Sequence, residues 1–282
     1  MEGVTPEQLL DTPDLIAVGV AGDDVRRRMH GLRTTFNRVF EIHVDAPPHA
    51  LPARTHAGEL RIIGRAANLD VLLATARSAV ALAGRAPVTV FSMADVIALH
   101  GSVRTTCGAL KEAGVAAIVH LPLDLVELPE LVAGDARSAG LDVLTLGIDT
   151  LDSESRLELC RRAAGLQTAI GGFKAFAPLP RTMSVTQPTT GYDDVKQIAL
   201  ARVVVGNIES IQVDWALYGP KLAQVALTVG ADDIDNVAAV DPGVLGTRRS
   251  PLEEIKGNIK AAALEAFERD GLFRARLDGA QP

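Results

Sequence analysis

The sequence predicts an α/β protein that forms a TIM-like (β/α) barrel in a single domain. Apolar, β-branched runs recur along the chain, and most are separated by helical patterns with apolar residues three and four positions apart. Seven such units, with a short eighth run, favour a closed barrel over an open doubly wound sheet. A nucleotide-binding open sheet is disfavoured, because GxGxxG does not follow the first run and GxxxxGK[ST] is absent.

The elements follow in order from these patterns. The predicted strands are residues 37–44, 59–64, 88–92, 116–120, 141–147, 171–178 and 208–215, with a short eighth at 236–240. The predicted helices are residues 70–84, 93–113, 124–139, 152–166, 193–206 and 217–229. Glycines such as Gly114 and Gly230 end the helices, because glycine adopts the left-handed C-cap conformation at no steric cost. We expect an N-terminal helical segment at 1–36, the barrel at 37–275 and a C-terminal tail at 276–282.

The composition is that of a soluble globular protein and argues against two classes of partner. Of 282 residues, 48% are hydrophobic and 22% charged, and no apolar run reaches the roughly 18 residues of a membrane-spanning helix. The net charge is −7, without the basic stripe that a nucleic-acid surface needs. The N-terminus has no basic segment followed by an apolar stretch, so we expect a cytoplasmic protein without nucleic-acid or membrane partners.

Cysteine usage points away from disulfides and metal clusters. Cys107 and Cys160 lie in two different predicted helices, and neither has a CxxC partner or a neighbouring histidine. A cytosolic protein keeps such thiols reduced. We therefore expect two buried, unreactive cysteines.

In a parallel barrel the residues that perform chemistry lie at the carboxyl ends of the strands, and this rule selects the candidates. The candidate acid/base residues are His43, His120, Asp149 and Lys174. The candidate ligand-binding residues are Ser92, Asp95, Lys174, Phe176, Asp214, Trp215, Asp232 and Asp233. Histidine suits acid/base work because its pKa lies near neutrality, although each of these residue types also serves as an ordinary surface or capping residue.

Two of these candidates leave alternatives open. Lys174 shares a strand face with Phe176, so it either meets a ligand anion or carboxylate inside the barrel or points outward on the other pleat. The acidic turn GADDID (230–235) either binds ribose hydroxyls or a cation, or caps the next element and faces water.

The loop DAPPHALPARTHAG (45–58) after the first strand is the least regular segment. With the preceding residue His43 it carries Asp45, His49 and His56, which are ligand types for zinc or iron. Their spacing matches no compact ligand motif, and two prolines lie between Asp45 and His49. We expect no metal site, and the loop is then a solvated segment or a lid.

Three stretches resemble the aminofutalosine synthase group of radical S-adenosylmethionine enzymes, from the futalosine route to menaquinone. They are LQTAIGGFKAFAPL (166–179), residues 198–235 ending in GADDID, and EEIKGNIKAAALEAFERDGLF (253–273). Weaker similarity extends back to about residue 60. The cyclase of the same route and the deazaflavin synthases are less similar.

The chain departs from this group at one specific place. The resemblance implies a CxxxCxxC loop after the first strand, whose thiolates hold a [4Fe–4S] cluster that binds S-adenosylmethionine. The corresponding loop here contains no cysteine. We therefore expect no cluster, no cluster-dependent radical chemistry and no firm S-adenosylmethionine site.

Three functions remain open on the sequence. The first is a binding or partner protein of the menaquinone route, with a nucleoside or an aromatic carboxylate as ligand or a pathway enzyme as partner. The second is an enzyme that performs a non-radical acid/base reaction on a nucleoside or aryl enol ether. The third is a zinc or iron hydrolase that uses residues 43–56.

Overall fold

Eight parallel strands close into a barrel, which confirms the predicted fold class. The computed structural model describes residues 5–150, 155–182, 190–243 and 250–276. The barrel strands are β1 (Arg33–His43), β2 (Glu59–Ile63), β3 (Val88–Ser92), β4 (Ala117–Pro122), β5 (Asp142–Ile148), β6 (Ala175–Pro180), β7 (Ser210–Asp214) and β8 (Asp233–Ala238). They pair in chain order, and β1 closes the sheet by pairing with both β8 and β2.

Helices cover the outside of the barrel. They are α1 (Pro6–Asp11), α2 (Leu15–His30), α3 (Leu69–Leu82), α4 (Met93–Ile97), α5 (Val103–Glu112), α6 (Pro129–Ser138), α7 (Arg156–Ala169), α8 (Gly191–Val204), α9 (Trp215–Leu227) and α10 (Pro251–Ala261). A single apolar core lies between these helices and the outer faces of the strands. None of the helices among the described residues is long and apolar enough to cross a bilayer.

Several predicted boundaries are wrong for identifiable reasons. The single helix predicted at 93–113 is two helices, because His100 adopts a left-handed conformation (φ 56°) and Ser102 caps α5 through the Thr105 amide. The helix predicted from residue 152 is seen from Arg156 with Ser155 as its N-cap, and residues 152–154 lie outside the described residues. β1 begins at Arg33, four residues before the predicted start. The first side chains of this strand that face the barrel interior are polar, such as Thr35, so the apolar pattern does not reveal them.

A ninth strand, which the sequence patterns did not predict, follows α10. This strand, β9 (Glu265–Arg269), pairs in parallel with Arg33–Asn37 in the first half of β1. The second half of β1, from Val39 to His43, pairs with β2. The two strands therefore share one edge of β1, and β9 fills the part of the edge that the short β2 leaves open.

A network of buried charges occupies the barrel interior near β1, β2, β8 and β9. Arg61 donates to Glu59 at 2.8 and 2.7 Å and to Asp235 at 2.8 Å. Arg269, from β9, donates to both carboxylate oxygens of Asp233 at 2.7 Å. All five side chains are at most 6% exposed. Burial alone would raise the pKa of Asp235, but Arg61 and Arg269 outweigh it and hold that pKa well below its usual range.

Neutral groups complete the network. The amide of Asn37 donates to Glu59 at 2.6 Å, and Gln212 donates to Asp233 at 2.8 Å. The hydroxyl of Thr35 donates to Asp233 at 2.5 Å, and that of Thr89 to Glu59. Each buried carboxylate therefore has partners on at least two strands, which is the condition under which buried ions are tolerated.

We expect the Arg269→Met substitution to lower the free energy of unfolding by about 3–5 kcal/mol, because it leaves Asp233 buried without its guanidinium. The control is Arg276→Met, since Arg276 is 34% exposed and its partner Glu268 keeps Arg38. That variant should lose less than about 1 kcal/mol. Urea unfolding of the two variants measures the difference, and equal losses would contradict a structural role for the interior pair.

Candidate functional site

Four side chains meet at the carboxyl end of the barrel. The imidazole of His120 on β4 stacks on the ring of Phe91 on β3, with centroids 5.1 Å apart and planes 8° from parallel. The guanidinium carbon of Arg181, just after β6, lies 4.2 Å from the Phe91 centroid. Arg181 also pairs with Asp214, the last residue of β7, at 3.0 Å. We call these four residues the rim cluster.

His120 is fixed by a second layer of hydrogen bonds. Its Nε2 lies 2.8 Å from Oδ1 of Asp149. Asp149 is held in turn because its amide, and that of Thr150, donate to the carboxylate of Asp124 at 2.9 and 2.6 Å. Gly147 leaves room for the ring, since a Cβ there would lie 2.6 Å from Nδ1 of His120. The imidazole is therefore held between Phe91, Asp149 and the backbone of β5.

Burial lowers the pKa of His120, and the hydrogen bond to Asp149 opposes this only in part. The nearby guanidinium of Arg181 acts in the same direction as burial. His120 is therefore neutral at pH 7. A neutral imidazole can accept a proton from a bound molecule.

The other half of the rim cluster is tied to α9. Asp214 accepts from the Leu217 amide at 3.0 Å and so caps that helix. Tyr218, one position further along, donates its hydroxyl to the Pro180 carbonyl oxygen. Burial raises the pKa of Tyr218, so its hydroxyl stays protonated. Asp214 thus serves both as helix cap and as ion partner of Arg181.

The open space at this end is small. A cavity of about 20 Å³ lies among His120, Arg181, Asp214, Tyr218 and the buried Asp235. This volume holds about one water molecule. Phe91 and Arg181 both line this cavity.

The structure brings together part of the predicted site. His120, Asp149 and Asp214 are at the rim, as predicted. Ser92 is paired in register with His120 and caps α4. Asp95, in α4, approaches the exposed Arg65 at 3.6 Å.

Two of the predicted site residues, His43 and Trp215, do not line the cavity at the rim cluster. His43 is 54% exposed, and its nearest charged partner is Asp45 at 3.7 Å. The ring of Trp215 packs against the core between barrel and helices. Neither residue lines the cavity next to His120.

Lys174 and Phe176 lie elsewhere than predicted. β6 begins at Ala175, so Lys174 precedes its strand at the opposite end of the barrel, where its side chain is exposed. Phe176 is fully buried in the core under the helices. The two glycines Gly171 and Gly172, which sequence reasoning read as a strand opening, both have positive φ and form the turn before β6.

The acidic turn also lies at the amino end of its strand. Asp232 precedes β8 and accepts from the Ile211 amide at 2.8 Å and from the buried Arg202 of α8. Asp233 is the interior partner of Arg269. Both predictions of ligand contact at the carboxyl rim are wrong in position, because GADDID leads into β8 and does not follow a strand.

The loop after β1 is fastened to the far side of the rim. Thr55 forms an antiparallel bridge with Val240, and the amide of His56 donates to the Ala239 carbonyl at 2.8 Å. His49 and His56 are both exposed. Among the described residues, which include this whole loop, no group of three or more His, Cys, Asp or Glu side chains is arranged to hold a metal ion.

Sequence reasoning missed Arg181, Phe91, Tyr218 and the pair Glu59 and Arg61. The predicted strand 171–178 ended before Arg181, so the residue fell outside the list of strand ends. The signal for Glu59 and Arg61 was the alternation of charged and apolar residues in ELRII. Charged side chains at alternate positions of a barrel strand indicate a polar interior.

The second half of the chain is similar in sequence to known proteins. Residues 173–276 match the CofH/MqnC C-terminal region. The aminodeoxyfutalosine synthase of Thermus thermophilus is 33% identical over an alignment of 142 residues, which covers 45% of this chain and 37% of that protein. The predicted resemblance to the radical S-adenosylmethionine enzymes of the futalosine route is thus confirmed.

Other comparisons agree on relatives and fold. The 5-amino-6-(D-ribitylamino)uracil–L-tyrosine 4-hydroxyphenyl transferase 2 of Methanosarcina barkeri is 32% identical over 145 residues, 45% of this chain and 37% of that protein. The chain therefore spans well under half the length of these relatives. The crystal structure of methylornithine synthase (PylB) is similar in fold, with a TM-score of 0.62, 13% identity and coverage of 94% of this chain and 95% of that one.

The residues present do not suit the [4Fe–4S] cluster that the resemblance implies. The loop at 45–58 offers no thiolate, and among the described residues its histidines belong to no group of three or more potential metal ligands. Cys107 lies on α5 and Cys160 on α7, both buried in the layer outside the barrel. Burial raises their pKa values to about 11 and about 12, so both stay as thiols.

The buried His120 makes stability depend on pH. Its pKa in the folded protein is below the ordinary value of 6.5, so below pH 6.5 the unfolded chain binds a proton that the folded chain does not. The free energy of unfolding should therefore fall as the pH decreases from 7.5 to 5.5, by at most about 1.4 kcal/mol per pH unit from this residue. His120→Gln should reduce that slope in urea unfolding at several pH values. An unchanged slope would contradict the assignment.

Proposed function

We propose that this chain is a cluster-independent binding protein of the menaquinone route, with its ligand site at the rim cluster. The observation that carries the proposal is the loop after β1, which lacks thiolates and is fastened to the end of β8 through Thr55 and His56. In this arrangement the loop in which the resemblance implies a cluster makes ordinary backbone contacts. The similarity to aminodeoxyfutalosine synthase supports the pathway.

An aromatic carboxylate is the ligand class that the rim cluster suits best. Its carboxylate can replace Asp214 as the ion partner of Arg181, since Asp214 keeps its cap on the Leu217 amide. Its ring can take the place beside Phe91 that the guanidinium of Arg181 now holds. Ligand sites of this kind measure about 300 Å³ or more, so binding requires Arg181 to swing outward from the 20 Å³ cavity.

A thermal-shift titration of the full chain tests this proposal. The panel is S-adenosylmethionine, adenosine, aminofutalosine and 3-(1-carboxyvinyloxy)benzoate. A ligand at about 100 times its dissociation constant adds roughly 2.7 kcal/mol, which raises Tm by several degrees. We expect a shift with the aryl carboxylate that is lost in Arg181→Gln and kept in the control Arg104→Gln, whose side chain is 62% exposed. If no compound shifts Tm, the rim is not a ligand site and a protein partner is favoured.

A non-radical acid/base enzyme is the second candidate, and the His120–Asp149 hydrogen bond is the observation that favours it. Asp149 orients the imidazole and stabilises its protonated form, as in known acid/base pairs. The other nitrogen, Nδ1, faces Gly147 with little space between them. This crowding makes binding the better supported function.

Turnover would separate the two candidates. Incubation of aminofutalosine or the aryl enol ether with the protein, followed by chromatography, should show no conversion if the chain only binds. Conversion that Asp149→Asn reduces by about 10²-fold or more would establish the acid/base enzyme.

A further inference from the structure

A second cavity lies outside the barrel, beneath the N-terminal helix. It is lined by residues of α1, α7 and α8 and has a volume of about 140 Å³. Leu9 and Leu10 from α1 and Leu200 from α8 form its apolar walls. A cavity of about this size has room for one benzene ring.

One wall of this cavity carries a buried amide with an unused acceptor. Gln197 of α8 is fully buried, and its Nε2 donates to Sγ of Cys160 at 3.8 Å. Its Oε1 has no hydrogen-bond partner among the described residues. A buried carbonyl without a donor is costly, so a bound molecule that supplies an O–H or N–H group to it would gain affinity.

The charged side chains at the cavity favour a bound anion. Arg156 and Lys196 line it together with Asp193. Lys196 uses one N–H on the Leu10 carbonyl at 3.0 Å, and Arg156 uses Nη1 on the Asp193 carbonyl at 3.1 Å. The carboxylate of Asp193 is engaged by Thr190 at the start of α8. Two cations against one anion leave a net positive charge for a bound anion.

We propose that this cavity binds a small monocarboxylic acid with one ring and a hydrogen-bond donor away from the carboxylate. The carboxylate meets Arg156 and Lys196, the ring packs on the three leucines, and the donor reaches Oε1 of Gln197 when that buried side chain turns toward the cavity. The ligand would bridge α1 to α7 and α8 and so fasten the N-terminal helix to the barrel. This site is separate from the rim cluster and does not depend on the function proposed there.

Isothermal titration of the full chain with 4-hydroxybenzoate, benzoate and phenol tests the site. We expect 4-hydroxybenzoate to bind about three- to tenfold more tightly than benzoate, which lacks the donor, and phenol to bind more weakly than either because it lacks the anion. Hydrogen exchange should show slower exchange of the α1 amides in the presence of 4-hydroxybenzoate.

Variants separate this cavity from the rim. Gln197→Met should remove the advantage of 4-hydroxybenzoate over benzoate while leaving benzoate binding intact. Lys196→Met should weaken both acids about tenfold, whereas the control Lys256→Met on α10 and the rim variant Arg181→Gln should bind both as the natural chain does. Leu10→Trp, which fills the cavity from its edge, should abolish binding.

Two results would overturn the proposal. One is the absence of heat with all three probes up to about 10 mM, which would mean that the cavity holds only water. The other is binding that survives Leu10→Trp or disappears in Arg181→Gln, which would place the acid at the rim. Loss of binding in Arg181→Gln would implicate the rim, whereas the absence of heat would concern this cavity alone. Failure of this proposal can therefore be distinguished from failure of the proposed rim function.

Discussion

The closure of this barrel depends on two arginines buried inside it. Arg61 enters from β2 and Arg269 from the added strand β9, and together they pair with the carboxylates of Glu59, Asp233 and Asp235. Removing one partner from such a set leaves a desolvated charge, so the loss of any one member destabilises the others. The acidic GADDID turn, the ELRII strand and the C-terminal FERD segment are therefore parts of one interaction, although they are far apart in the sequence.

The carboxyl rim is held together by contacts other than those of the interior network. The rim cluster is built on different strands, with His120 on β4 and Arg181 after β6, and it is held by helix caps and backbone amides. The region that matches the CofH/MqnC C-terminal region contributes β8 and β9, and it also contains Arg181 and Asp214 of the rim cluster. The similarity in sequence therefore covers part of the interior network and half of the rim cluster. A different reaction, or binding alone, can occupy the rim of the same scaffold.

The sequence was sufficient for the fold and for part of the site. Periodicity identified the barrel strands because their outer faces are apolar, and the strand-end rule found His120, Asp149 and Asp214. It failed where a boundary was misplaced: moving the start of β6 to Ala175 takes Lys174 to the opposite end and brings Arg181 to the rim. It also failed where the interior is polar, since a charged side chain facing inward looks in the sequence like one facing solvent. Only tertiary structure shows that Asp233 meets Arg269.

The central claim is that this barrel works without an iron–sulfur cluster, and anaerobic reconstitution tests it most directly. The full chain is incubated with ferrous iron and sulfide under a reductant, desalted, and assayed for iron, acid-labile sulfide and cleavage of S-adenosylmethionine. A Cys107→Ser, Cys160→Ser double variant controls for iron held by the two helix thiols. The account predicts no retained sulfide, no cleavage and no difference between the two proteins. About four iron atoms per chain with cofactor cleavage would contradict it.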